Sequence, residues 1–162
     1  MSMTPAQQLR STLQAELQLA QQLATILETE RGALTQADSA ELAQCVRAKQ
    51  PLIKQLEQLG RQRDLILKTA GFPAGKQGMQ AFVVNQTDAE AMALNKLLGQ
   101  LKIQAARCRE HNQINGGIVN VNRQYLQRAI SILRGRDPEV SSYGPGGEYT
   151  SGVVRQPLIG RV

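Results

Sequence analysis

Residues 4–27 read TPAQQLRSTLQAELQLAQQLATIL, and their spacing settles the class of protein. Thr4 is a residue that caps helices, and Pro5 fills a first helical position where a missing N–H costs nothing. Gln7 stands where a side chain can bond back to the cap. Leu9, Leu13, Leu17, Ala20, Ala24 and Leu27 then follow at intervals of four, four, three, four and three, broadened by Leu23 and Ile26. That period predicts an amphipathic helix whose apolar seam winds slowly round its axis, as in coiled coils.

Outward from this stretch, the first pattern gives out near Arg31-Gly32, and Asp38 with Glu41 three residues later marks a second helix start. A short connection makes the two helices antiparallel neighbours. Leu42, Cys45, Val46, Ile53, Leu56, Leu59 and Ile66 supply the facing seam. Pro51 lies inside that seam and predicts a kink near Arg47, with a break into two helices as the alternative. The breakers from Gly71 to Gly78 form a loop, with residues 79–85 adding at most one short helical turn. Thr87-Asp88-Ala89-Glu90 opens a third pattern that persists to Leu133, about 46 residues or ~69 Å of helix.

The expected fold is therefore all-α: an antiparallel bundle of three long helices with coiled-coil-like packing. In one alternative the third turns at Gly116-Gly117 to give a fourth. Residues 1–134 form the bundle domain. Residues 135–162, with Pro138, Gly144, Pro145, Gly146, Gly147, Gly152, Pro157 and Gly160, read as a flexible tail carrying a short linear motif.

Composition narrows the functional classes. The chain has 162 residues, enough for one domain, and its 3% aromatic content without Trp argues against β-sandwiches and barrels. No run approaches the ~18 to 20 apolar residues of a membrane span, and the first residues lack a signal-peptide pattern, so no membrane insertion and a cytoplasmic location are expected. Two cysteines, Cys45 and Cys108, read as reduced thiols. A net charge of +6 permits nucleic-acid contact, but the basic residues are dispersed singly, and a solvated surface is the better reading.

Chemistry has few candidates. Asp38, Glu41 and Glu90 serve better as caps than as a general acid and base. Cys108 and His111 lie three residues apart and could share a metal with Cys45, yet two ligands on one helix do not make a site. No enzyme, metal or cofactor is expected.

The third helix carries the informative surplus. At ~100° per residue, Leu94, Leu97, Leu98, Leu101, Ala105 and Cys108 fall in one arc suited to packing on a hairpin, and Val119, Leu126, Ile130 and Leu133 continue it. Ile114, Ile118, Val121, Tyr125 and Ile132 open a second apolar arc beside the first. That arc is either buried in an ordinary four-helix bundle or offered to a partner helix or a second copy. Asn112, Asn115, Asn120 and Asn122 are poor helix formers, and Asn115 and Asn122, seven apart, suit polar pairing that fixes register.

The run Cys108-Arg109-Glu110-His111-Asn112-Gln113-Ile114-Asn115-Gly116-Gly117, followed by Asn122, Ala129, Leu133-Arg134-Gly135 and Tyr143-Gly144, resembles the FlgN family, cytosolic chaperones of flagellar type III export. The resemblance implies binding of the C-terminal segments of the hook-associated proteins FlgK and FlgL, prevention of premature assembly, and delivery to the export gate. It maps client capture onto residues 111–134, and so onto Ile114, Ile118, Val121, Tyr125 and Ile132. Asn112, Asn115, Gly116 and Asn122 are its motif positions. Tyr143 and Gly144 resemble the element that engages the gate protein FlhA. A structural homodimer and a basic nucleic-acid binder are the alternatives.

Overall fold

Thr4 caps as its sequence demands. Its hydroxyl accepts from the Gln7 N–H at 3.2 Å, and the Gln7 side chain accepts from the Thr4 N–H at 3.0 Å. In the computed structural model, which describes residues 2–134, this box opens α1, Pro5–Gln36. The helix runs past Arg31-Gly32, where its end was expected, because Ala33 and Leu34 are buried and packing outweighs the helix penalty of one glycine. It stops at Ala37, in the left-handed region at φ 53°. Asp38 then donates its N–H to the Ala33 carbonyl at 2.9 Å and accepts from the Glu41 N–H at 3.1 Å, starting α2, Ser39–Thr69. Only half of the expected second capping box forms, since the Asp38 N–H is already committed to Ala33.

Helix α2 passes Pro51 without breaking, with the proline on its exposed side. It ends in a Schellman motif: Phe72 N–H to Leu67 carbonyl at 2.9 Å, Gly71 N–H to Lys68 carbonyl at 3.0 Å, and Gly71 at φ 87°. This delivers Phe72 edge-on to Phe82, ring centres 5.4 Å apart. Phe82 belongs to α3, Lys76–Val84, a fuller helix than the single turn expected from residue 79. The Thr87 hydroxyl accepts from the Glu90 N–H at 3.4 Å as α4, Asp88–Leu133, begins. Helix α4 is continuous through Gly116-Gly117, so the fourth helix is α3 and not a product of a bend there.

The chain divides into two units, Met1–Val119 and Asn120–Val162. In the first, Leu9 and Leu13 of α1, Leu67 of α2, Phe82 of α3 and Leu94 of α4 anchor one apolar core. Farther along α1 the seam thins to Ala20, Ala24 and Leu27 and admits two buried carboxylates, Glu16 and Glu30. Arg63 meets Glu16 at 2.6 Å and Lys49 meets Glu30 at 2.5 Å, the two pairs lying two heptads apart in one antiparallel register. Burial pushes the Glu16 carboxyl up, with Arg63 working against the rise. Ile53, expected in the α2 seam, is 43% exposed instead, while Leu52 beside it and Leu56 one turn on are half-buried. Contacts of Ala20 with Cys108 and of Leu27 with Asn115 run α4 parallel to α1, so the three long helices go up, down and up.

Candidate functional site

Within the first unit α4 is tied to α1 by polar side chains. Arg107 bonds Glu28, holding the Glu28 carboxyl below its usual range. His111 accepts from the Arg31 guanidinium at its Nδ1, 2.6 Å away, which leaves Nε2 to face Glu28 at 3.3 Å as a donor. One turn on, Asn115 is 2% exposed and donates its amide to the Leu27 carbonyl at 2.9 Å and to Glu30 at 3.1 Å. Because Glu30 also holds Lys49, this one amide links all three long helices. Asn112, Gly116, Asn120 and Asn122 are exposed.

The surroundings of both thiols favour the protonated form. Burial raises the pKa of both, with Glu30 and Glu41 adding to the rise at Cys45 and Arg107 moderating it at Cys108. The Cys108 S–H points to the Ala20 carbonyl at 3.4 Å, while the His111 ring is engaged by Arg31 and Glu28. Among the described residues no three His, Cys, Asp or Glu side chains gather as metal ligands. A hollow of about 420 Å³ at the start of α1 is floored by Ala6, Ala70, Phe72 and Phe82, with Glu90 its one carboxylate, and offers no pair of groups for acid–base work.

The apolar surplus is at the surface. In the first unit Ile114 is exposed and Ile118 half-buried. In the second, Val121 is exposed, with Tyr125 at 67% and Ile132 at 63%. Val119, Leu126, Ile130 and Leu133, expected to continue the packed arc, are exposed as well, Leu133 at 85%. The helical period grouped these four with the packed arc, but period alone does not supply a partner, and within the first unit the seams of α1 and α2 face one another and the earlier turns of α4. Balancing apolar seams against available partners would have revealed the shortfall. Tyr143 and Gly144 lie outside the described residues. Among the described residues no helix is long and apolar enough to cross a membrane.

A family profile described as FlgN protein matches residues 1–151. Among solved structures, the chain resembles a Pseudomonas aeruginosa chain assigned as a flagella synthesis protein FlgN. The two are 31% identical with a TM-score of 0.64, over 74% of this chain and 91% of that one. No curated protein sequence matches.

Proposed function

The chain belongs to the FlgN family, and from that footing we propose that it is a cytosolic export chaperone for the hook-associated proteins FlgK and FlgL. It binds their C-terminal segments, keeps them from assembling early and passes them to the flagellar export gate through FlhA. The observation that carries this reading is the run of exposed apolar residues on α4, Ile114, Val121, Tyr125 and Ile132, because clustered apolar surface marks sites of association. A client segment gains order as it lays an amphipathic helix on that side, so capture is coupled folding and binding with no covalent step. Burying ~600 Å² of apolar surface at ~25 cal/mol per Å² gives ~15 kcal/mol gross, which association and ordering costs reduce to roughly micromolar affinity.

Calorimetric titration of the full chain with the C-terminal segments of FlgK and FlgL tests the reading. Binding at roughly micromolar strength, weakened at least about tenfold by Tyr125→Asp or Ile132→Asp with helicity unchanged, is expected. Absence of binding by the intact chain overturns it. Tyr143→Ala is expected to lose FlhA capture while keeping client binding; loss of both, or of neither, removes the docking role from Tyr143.

A further inference from the structure

The second unit carries a charge arrangement that dispersed basic residues conceal. From His111 to Arg136 the sequence has no Asp or Glu, while Arg123, Arg128 and Arg134 all stand exposed. At ~100° per residue, Val121, Tyr125 and Ile132 occupy an arc of about 40°, and the exposed Leu126, Ile130 and Leu133 occupy an arc of about 60° farther round. Asn122 and Ala129 fill the gap between them, giving an apolar side about half a circumference wide. Arg128 falls about 20° outside one edge, beside Val121, and Arg123 and Arg134 fall about 20° to 40° outside the other, beside Ile130. The opposite side is Asn120, Gln124, Gln127 and Ser131, without charge. The cations therefore line both margins of the apolar side and leave the back of the helix neutral. None of the three arginines makes an ion pair with a described residue.

We propose that residues 120–134 dock an amphipathic helix whose apolar stripe is edged on both sides by carboxylates. The inference rests on the client-binding reading above and names the chemistry of the client segment. A helix lying along this side puts its own margins next to the arginines, where guanidinium and carboxylate pair in a two-pronged geometry. A second copy is the poorer occupant, since it brings arginine to arginine with no acid on either chain between His111 and Arg136. An anionic membrane surface is poorer too. Asn122 lies within the apolar side, where acyl chains leave its amide unpaired and a partner helix can pair it and fix register.

The test uses the full chain and two labelled helical peptides with the same Leu and Ile stripe, one with Glu along both margins and one with Gln in their place. By fluorescence anisotropy at low salt the Glu peptide is expected to bind about tenfold tighter, a preference that fades at high salt and is lost in the Arg123→Gln, Arg128→Gln, Arg134→Gln chain. Equal binding of the two peptides overturns the charge inference and leaves the client reading standing. If neither peptide binds while the FlgK and FlgL segments do, the inference fails alone; if those segments fail as well, the client reading falls with it. A light-scattering mass of two chains that Tyr125→Asp returns to one overturns the proposal in favour of a second copy. Capture by phosphatidylserine vesicles that the Glu peptide does not displace overturns it in favour of a membrane.

Discussion

Gly78 admits no side chain: an added Cβ would lie 1.5 Å from the carbonyl oxygen of Pro73, inside the loop that turns α2 into α3. Gly78→Ala is expected to destabilise the protein by about 1 to 3 kcal/mol in urea unfolding, as overpacking of a tight contact does. The sequence shows Gly78 as one breaker among several, and only the tertiary approach of Pro73 sets it apart. Ala37 poses the opposite case, a side chain held at φ 53°, so Ala37→Gly is expected to stabilise by about 1 kcal/mol in the same assay. Two carboxylates are shifted in opposite directions from their ordinary range. Glu16 has a raised pKa in the folded state, so the folded chain binds more protons there and stability falls as pH rises through that range. Glu28 has a lowered one, and its contribution is present above the ordinary carboxylate range and lost as pH falls below it. Glu16→Gln therefore removes a penalty that grows toward neutral pH, whereas Glu28→Gln flattens the acid limb, both read from unfolding midpoints against pH.

At the scale of the helices, the apolar period revealed α1, α2 and α4 and their order, and the capping residues and their spacing revealed the starts at Thr4, Asp38 and Thr87. It did not reveal Glu16 and Glu30 as interior residues, because a charged residue in a seam looks like the edge of a face until its partner is placed. The clue was present in the matched two-heptad spacing of Lys49 and Arg63. The Glu30, Lys49 and Asn115 junction makes a specific prediction. Lys49→Met strands a buried carboxylate and is expected to cost about 3 kcal/mol, whereas Glu30→Met together with Lys49→Met removes both charges and is expected to recover most of that loss. A double-mutant cycle by denaturant unfolding measures the coupling.

At the scale of the whole chain, the residues proposed for client capture are not those that hold the core together. Leu67 is fully buried and Tyr125 is 67% exposed. Leu67→Ala is expected to lose about 2 to 5 kcal/mol of stability, and Tyr125→Asp to stay within about 0.5 kcal/mol of the parent while client binding weakens at least about tenfold; thermal melts beside calorimetric titration separate the two. The surplus of apolar positions on α4 was legible because periodicity counts positions on a face. Which part of that surplus stays at the surface was not, since burial is decided by how far neighbouring helices have seams to offer. Family membership was legible from the stretch Cys108 to Gly117, where Asn115 is the buried junction residue.

The turn at Ala37-Asp38 also sets an order in time. Glu30 meets Lys49 from a short distance along the chain, but must wait for Asn115 until most of the protein has been made. Local contacts close sooner than remote ones, so the α1–α2 hairpin can form on a growing chain before α4 is complete. The exposed end of α4 follows the α1–α2 scaffold that anchors the helix. A nascent chain thus spends little of its own synthesis displaying that apolar side unaccompanied by the scaffold that carries it.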